Sequence, residues 1–472
     1  MLPGTSPPDT RGMQTKISAS DLARETPASR DRYVDFLRLF SIGVVVLGHW
    51  LMAVVTWHGH DFRTGNVIGM VPGLWLATWL LQIMPIFFFV GGFANLATID
   101  AMRRRGEGAS AFVASRVARL LRPVAVLLGV WVVAAVALEH LGLDARVLNS
   151  ATRLVCQPLW FIGVYLAVTA LAPCMRDLHA RRALPTAATI ATLAVAVDVV
   201  RFGAGIDALG YLNMLFVWLF AQQLGFFYAD GTLARVSRAK LAAVATGAVG
   251  TLVALTTFGP YPHSMVGLPG DRISNMSPPT VCLLVLTIFE VAVVMLLRAT
   301  VQRGLSRERV WTAVVAGNGV IMTIFLWHLT AALVALDVLY HVGFPQPAGG
   351  STLWWATRPL WIAAALIPLA VFVSTFGRIE RPRAVRYRAT SPASPLLAGV
   401  GIALLSFAVF GIACTNLADL IAGVRIDVAV VTVTPAQLLG VVLAGLACVA
   451  ASARRVAITD ARIAGDARAT RR

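Results

Sequence analysis

Charged side chains are scarce in this sequence. Only 13% of the 472 residues are Asp, Glu, Lys or Arg, whereas 58% are hydrophobic. A soluble globular protein carries roughly 25% charged residues and roughly 45–50% apolar ones. The composition therefore excludes an ordinary soluble enzyme, and the high apolar content also excludes a disordered protein.

Cysteine is also scarce, with five residues in the whole chain. They are scattered singly, with no CxxC pair, and no histidine stands at the spacing of a metal-ligand set. The sequence therefore predicts neither a disulfide framework nor a metal site. The cysteines are interpreted as small packing residues.

Acidic residues are outnumbered by basic ones. Forty Lys plus Arg stand against 23 Asp plus Glu, which gives a formal charge of +17. In a soluble chain this balance would point to nucleic acid, but here the basic residues form short clusters between apolar runs. That pattern is typical of membrane topology, so no nucleic-acid partner is expected.

Long apolar runs are what the sequence does contain. A bilayer core of ~30 Å takes about 20 apolar residues per helix, and runs of that length recur from residue 34 onward. They predict an all-α polytopic membrane protein with about 12 transmembrane helices. The predicted spans lie near 34–57, 73–99, 121–142, 153–175, 184–201, 208–229, 240–258, 279–300, 312–340, 352–376, 396–422 and 435–453.

The connections between these spans alternate between strongly basic and weakly charged. Basic clusters occur near 103–105, 176–182, 235–240, 303–309 and 378–388. The positive-inside rule then places both termini in the cytoplasm of a multi-pass protein in the cell membrane. Residues 1–30 lack the early apolar core of a signal peptide and are expected to form a disordered cytoplasmic segment.

Ionisable side chains inside a span are costly and suggest function. Arg38 and His49 are eleven residues apart, which is about 16 Å of helix and close to three turns, so they share one face. Asp35 is expected to pair with Arg38 at i,i+3 spacing. A neutral imidazole accepts a proton from an alcohol that attacks a carbonyl, which makes His49 a candidate base. The alternative is a snorkelling arginine with an interfacial histidine.

Three further arginines, Arg116, Arg119 and Arg122, stand three residues apart at the cytoplasmic start of the third predicted span. Positive-inside placement alone would explain them. The functional alternative is an electropositive mouth for a polyanionic ligand, because guanidinium groups match phosphate oxygens bidentately.

Six segments in order resemble the acyltransferase-3 family of polytopic membrane O-acyltransferases. They cover about residues 30–385, with Gly91 where the family usually has Ser. The segments are RYVDFLRLFSIGVVVLGHW, MPIFFFVGGFANL, ASRVARLLRP, PLWFIGVYL, GNGVIMTIFLWHLT and RIERPRAVR.

The resemblance implies a ten-helix acyltransferase domain over 31–388. Two extra transmembrane helices would follow over 389–455, and a basic cytoplasmic tail over 456–472. It also implies transfer of an acyl group, usually acetyl, from cytoplasmic acyl-CoA to a hydroxyl of a carbohydrate, glycolipid or lipid-linked acceptor. Acyl-CoA, expected to be acetyl-CoA, is then a co-substrate, and no tightly bound cofactor is expected.

On this hypothesis His49 is the general base, assisted by Arg38 and Asp35, and the three arginines bind the donor. Direct transfer is favoured over an acyl-histidine, because the sequence identifies no group that orients the imidazole. Four other residues are candidates for lining the site, although the two tryptophans also suit helix packing and the glutamate suits pairing across helices. They are His328, Trp327, Trp160 and Glu290.

The competing function is a proton-coupled multi-pass transporter, since twelve spans with intramembrane Asp, Glu and His would suit one. A transporter built from repeats is expected to show matched helices interrupted by Gly or Pro in its two halves. The sequence shows none, which favours the enzyme.

Overall fold

The computed structural model describes residues 19–27, 30–58, 61–380, 387–389, 394–415, 424–428, 431–452 and 455–457. Helices dominate these ranges. The α-helices are α1 Ala19–Arg24, α2 Arg32–Met52, α3 Val67–Met70, α4 Thr78–Leu81, α5 Met84–Arg104, α6 Ala109–His140, α7 Ala145–Cys156, α8 Leu159–Ala204, α9 Asn213–Ala229, α10 Arg238–Phe258, α11 Val281–Leu305, α12 Glu308–Asn318, α13 Ile321–His341, α14 Thr352–Phe376, α15 Pro395–Cys414 and α16 Pro435–Ser452.

Short 3-10 helices and strands complete the described ranges. The sequence predicted an all-α fold, so the strands are an addition to it. The 3-10 helices are Leu74–Ala77, Asp207–Leu212, Leu233–Arg235 and Gly377–Glu380. The strands form three antiparallel pairs. These are β1 Ala53–His58 with β2 Asp61–Asn66, β3 Tyr387–Ala389 with β6 Arg455–Ala457, and β4 Ile426–Val428 with β5 Val431–Val433.

Ten helical segments of the described chain are long and apolar enough to cross a membrane. The difference from the expected twelve has two sources. One segment, Ala145–Ala204, contains both of the spans predicted over 153–175 and 184–201. The other source is α16, whose apolar part is shorter than the remaining segments. The multi-pass architecture is confirmed, and the count of twelve stays a prediction.

Helix α8 reverses direction within its 46 residues. Its backbone is non-helical at Arg182, with φ −151° and ψ 64°. Before this break, His179 is bonded to Asp230 just after the end of α9, whereas Asp198 accepts a hydrogen bond from Asn213 at the start of α9. The chain therefore runs along α9 and returns, and Asp198 is a paired residue at the far end of the bundle.

The first predicted span ends earlier than expected. Helix α2 begins after Asp31, whose carboxylate caps the amides of Tyr33 and Val34, and it ends at Met52. Residues 53–58 continue as strand β1 instead of completing the span to residue 57. The run of β-branched residues there favours extended backbone over helix.

The span predicted over 312–340 is also divided. Helix α12 ends at Asn318, and α13 begins only at Ile321, after Gly319 and Val320. The Asn318 amide donates to the carbonyl of Asp35, which ties this break to α2. The start of α13 is therefore fixed beside the start of α2, and the two helices run in the same direction.

Helices α5 and α9 cross at two glycines. A Cβ atom on Gly92 would overlap the Gln222 carbonyl, and one on Gly225 would overlap the Phe89 carbonyl. Small residues at a crossing let two backbones approach closely, which is the usual basis of helix association in membranes. We infer that this contact holds the second predicted span against the sixth.

The two C-terminal helices pack onto the rest of the bundle. Gly163 of α8 lies under α15, where an added Cβ would be 2.9 Å from the Ser406 carbonyl oxygen. Gly401 of α15 and Gly445 of α16 form a similar close contact. Helix α15 thus contacts α8 directly, and α16 contacts α15.

Part of the N-terminal segment is ordered, in contrast to the expectation for residues 1–30. Helix α1 docks on α12 through an ion pair of 2.8 Å between Arg24 and Glu308. The indole nitrogen of Trp311 donates to the hydroxyl of Thr26 at 3.1 Å. Residues 1–18, and the tail from 458 onward, lie outside the described residues.

Candidate active site

His49 and His328 form a direct pair between α2 and α13. The distance from His49 Nδ1 to His328 Nε2 is 2.7 Å, and the rings are nearly parallel, with an interplanar angle of 13°. His328 is completely buried, whereas His49 is partly exposed. His49 is therefore the less buried residue of the pair.

Hydrogen bonding fixes the tautomer of both rings. His328 Nδ1 lies 2.5 Å from the carbonyl oxygen of Phe325, which only accepts, so this nitrogen carries the proton. In a neutral ring, His328 Nε2 then accepts, and His49 Nδ1 donates to it. This leaves His49 Nε2 with a free lone pair, the state that a general base or a nucleophile requires.

Two tryptophans hold the histidine pair in place. The indole of Trp50 donates to the His328 carbonyl at 3.0 Å, and the indole of Trp361 donates to the Trp50 carbonyl at 2.9 Å. A buried indole N–H usually finds an acceptor, so these two bonds lock α2, α13 and α14 together. The pair therefore sits on a rigid frame of three helices.

A cluster of positive charge lies at the end of the bundle where α2 begins. Arg38 of α2 and Arg116 and Arg119 of α6 are close enough to repel one another, and Arg38 and Arg116 both interact with Tyr165 of α8. We call these four residues the basic cluster. It brings together two of the three arginines predicted to bind the donor, and Arg122 is exposed further along α6.

Arg116 is the most firmly placed member of the basic cluster. Its Nη2 donates to the Thr98 hydroxyl at 2.7 Å and to the Ala94 carbonyl at 3.3 Å, and its guanidinium lies over the Phe112 ring. Its Nε is buried and has no hydrogen-bond partner among the described residues. A buried donor without a partner is costly.

The expected ion pair between Asp35 and Arg38 is replaced by another. The Asp35 carboxylate accepts from Arg30 Nε at 2.5 Å. Asp35 faces the start of α2, where Arg30 and Asn318 also lie. The guanidinium of Arg38 is therefore close to two other members of the basic cluster, Tyr165 and Arg119. Asp35 anchors the start of α2.

Tyr165 is a site residue that the sequence analysis missed. A Cβ on Gly91 would be 2.9 Å from Tyr165 Cε2 and 3.1 Å from its hydroxyl oxygen. The tyrosine ring thus fills the space that a serine side chain at position 91 would occupy. The departure from the family segment at Gly91 was the available signal, but it did not say which residue fills the space.

The other candidate residues lie outside this arrangement. Trp327 stacks on Phe376 with ring centroids 4.3 Å apart, which packs α13 against α14. Trp160 lies between Phe161 and Trp218. Both tryptophan rings therefore contact neighbouring aromatic rings, and their role in lining the site stays a prediction.

Glu290 is buried in α11, facing the backbone of Ile86 near the start of α5. Within the described ranges neither of its carboxyl oxygens makes a hydrogen bond of normal geometry. No hydrogen bond among those residues links Glu290 to the histidine pair.

Glu380 closes the candidate site at the end where the basic cluster lies. Its carboxylate accepts from the backbone amide of Thr323 and from the Thr323 hydroxyl, the latter at 2.8 Å. It also lies close enough to Arg119 to attract it. Glu380 thus ties the end of α14 to the first turn of α13, the helix that carries His328.

These observations define a multi-helix membrane bundle. It carries a histidine pair between two helices and clustered arginines about 16 Å away along α2. A family model described as an acyltransferase domain, of the acyltransferase-3 family, matches residues 31–379. The chain belongs to that family and is a membrane acyltransferase. No curated protein and no solved structure matches the chain.

Proposed function

We propose that this chain transfers an acyl group, expected to be acetyl, from acyl-CoA to a hydroxyl of a carbohydrate or lipid-linked acceptor in the cell membrane. The observation that carries the proposal is the bond between His49 and His328, which leaves His49 Nε2 free to accept a proton. In this mechanism His49 is the general base, and His328 is a positioning residue that fixes its tautomer and orientation.

The donor would enter at the basic cluster. A CoA nucleotide is polyanionic, and several guanidinium groups close together suit its phosphates. Arg38 and His49 are eleven residues apart on α2, which is about 16 Å along the helix. The long, thin pantetheine arm is suited to reach over that distance and bring the thioester to the histidine pair.

The transfer step conserves atoms and protons. His49 Nε2 removes the proton of the acceptor hydroxyl while the hydroxyl oxygen attacks the thioester carbonyl carbon. The tetrahedral intermediate then collapses, the C–S bond breaks, and the proton on Nε2 passes to the CoA sulfur. The products are the acyl ester of the acceptor and free CoA.

An acyl-histidine intermediate is the second candidate mechanism. Direct transfer was favoured on the ground that nothing orients the imidazole, and the hydrogen bond from His49 to His328 removes that objection. In this variant His49 Nε2 itself attacks the thioester carbonyl carbon, the C–S bond breaks, and CoA leaves as the thiolate. The acceptor hydroxyl then attacks the acyl-imidazolium, which releases neutral His49, and the hydroxyl proton passes to the CoA thiolate.

The experiment that tests the function uses the purified full chain in lipid nanodiscs with radiolabelled acetyl-CoA. Polysaccharide and membrane lipid from the source cells serve as acceptors. We expect label to pass to the acceptor as an alkali-labile ester, with release of CoA. A chain that moves protons or solutes across vesicles, without consuming acetyl-CoA, would be a transporter.

Timing separates the two mechanisms. The protein is mixed with radiolabelled acetyl-CoA in the absence of acceptor, and the reaction is quenched rapidly. Labelled protein is expected if an acyl-histidine forms, and unlabelled protein if transfer is direct.

A further inference from the structure

A groove lies at the end of the bundle opposite the basic cluster, between α13, α14 and the segment that joins them. One of its walls is a face of α14, where Trp354, Arg358 and Trp361 stand about one turn apart. The facing wall includes Leu339 of α13 and Phe344 of the connecting segment. We call these five residues the aromatic groove.

Arg358 is the single charge among the five groove residues. Its guanidinium lies 4.2 Å from the ring centroid of Trp354 and 5.5 Å from that of Trp361. Its Nε donates to the Trp354 carbonyl at 3.2 Å. Arg358 is half-buried, and within the described ranges no charged group is near enough to affect it. The stacking holds the plane of the guanidinium while its terminal nitrogens are available to a ligand.

The groove is bounded by the tryptophans that hold the histidine pair. Trp361 forms its inner limit and donates to the Trp50 carbonyl, and the Trp50 indole donates in turn to the His328 carbonyl. Trp50 directly follows His49 in the chain. A molecule in the groove is therefore separated from the histidine pair by one layer of tryptophan side chains.

We propose that the aromatic groove is the acceptor site, and that Arg358 binds an anionic group of a sugar acceptor next to the hydroxyl that is acylated. This inference rests on the proposed function. A planar guanidinium donates two parallel hydrogen bonds to a carboxylate, and the partly exposed ring of Phe344 suits the C–H face of a pyranose ring. The donor and acceptor then approach the histidine pair from opposite ends of the bundle.

The charge balance favours an anionic acceptor over a neutral one. A half-buried guanidinium without a counter-ion is costly, and a ligand anion removes that cost by pairing with it. A neutral sugar would leave Arg358 unpaired. We therefore infer that the site selects between sugars of the same shape by their charge.

The test compares two matched acceptors, methyl glucuronide and methyl glucoside. The glucuronide has a carboxylate where the glucoside has a hydroxymethyl group. The full chain is studied in phosphatidylcholine nanodiscs, and kcat/KM for acetyl transfer and quenching of tryptophan fluorescence are both measured. We expect the wild type to favour the glucuronide by about tenfold to a hundredfold, as for a charge-assisted hydrogen bond.

Variants of Arg358 test whether this residue causes the preference for the glucuronide. R358Q should raise KM for the glucuronide by the same factor and leave kcat/KM for the glucoside within about twofold, whereas R358K should retain part of the preference. Arg272 is exposed in the segment between α10 and α11, so R272Q serves as the matched control and should behave as wild type.

Three results would overturn the proposal. The first is equal quenching of tryptophan fluorescence by both sugars or by neither. The second is an equal loss of kcat/KM for both sugars in R358Q. The third is a change in fluorescence that depends on Arg358 in phosphatidylglycerol nanodiscs, with no change on adding the glucuronide. The last would assign the site to a lipid headgroup. Failure of the proposed function is distinct, because it would appear as no consumption of acetyl-CoA while the glucuronide still quenches fluorescence.

Discussion

The two ends of this bundle differ in how they carry positive charge. At the end where α2 begins, three arginines of the basic cluster converge with Tyr165, and the charges repel one another. At the other end a single arginine, Arg358, is held between two tryptophans. Several converging charges suit a polyanion, whereas one charge on an aromatic wall suits a monoanionic ring.

The histidine pair lies between these two ends. Arg38 lies about 16 Å from His49 along α2, and the layer of Trp50 and Trp361 separates the pair from the aromatic groove. Under the proposed function, the difference between the ends would give the donor and the acceptor separate binding sites, with the histidine pair between them.

The first prediction assigns the two ends to the two sides of the membrane. Reporter fusions at positions 105, 238 and 307 should give a cytoplasmic signal, and fusions at 268 and 346 an external one. The reason is that the basic connections stay on the cytoplasmic side. The outcome is all or none. A cytoplasmic signal at 346 would place the aromatic groove on the same side as CoA and would break the comparison.

The second prediction concerns His49. General-base assistance is worth about 10²–10⁴-fold in rate, so H49A should lower acetyl transfer by at least that factor while acetyl-CoA still binds. H49Q keeps the polarity and approximate size of the side chain but cannot hold the proton, so it should be equally inactive. Both are measured as kcat at saturating acetyl-CoA.

His140 supplies the control for His49. It is exposed at the end of α6, where its Nδ1 bonds the Val136 carbonyl. H140Q should transfer acetyl groups as wild type does. Full activity in H49Q would reduce His49 to a structural residue.

The third prediction sharpens the role of the basic cluster. Replacing Arg116 and Arg119 together with Ala should weaken CoA binding by about a hundredfold or more, because each hydrogen bond to a charged group is worth about 1.5–3 kcal/mol and two are lost. The effect should diminish at high salt. Calorimetric titration of CoA measures it.

Arg122 is the matched control for the third prediction, because it lies on the same helix but is exposed. R122A should leave the dissociation constant for CoA within about twofold. An equal loss in R122A and in the double variant would mean that only the total charge of α6 matters.

The fourth prediction has the smallest expected effect and concerns Tyr165. Y165F removes one hydroxyl and should raise KM for acetyl-CoA by about fivefold, the value of one ordinary hydrogen bond. G91S should lower thermal stability, because the new side chain would overlap the tyrosine ring. Shortening the ring in G91S with Y165L should restore the stability, and no restoration would show that the two residues are not in contact.

The sequence predicted much of the fold because single helices are local structures. The spacing of Arg38 and His49, and the apolar runs around them, depend on neighbouring residues only, and α2 has the expected face. The reversal at Arg182 was visible only as the gap between two predicted spans, and the break at Gly319 was missed inside the span predicted over 312–340. Their positions depend on packing against α9 and α2, which are distant in the sequence.

The candidate site was predicted in part for the same reason. His49 and His328 were both singled out, but their bond joins residues that are 279 positions apart, and no local pattern contains that pairing. The i,i+3 spacing predicted an ion pair between Asp35 and Arg38. Asp35 instead pairs with Arg30, which lies outside the helix. Tyr165 was missed because its place depends on the empty space over Gly91.

Coupling between His49 and His328 is the most direct test of the central claim, that the two histidines work as one unit. The measurement is a double-mutant cycle on kcat with H49A, H328L and the double variant, with H328Q as a fourth chain. If His328 acts only through His49, its loss costs about 10²-fold alone and nothing further once His49 is gone. H328Q, which still offers an acceptor to His49 Nδ1, should recover part of that loss. Multiplicative losses in the double variant, or an H328L chain as active as wild type, would contradict the claim.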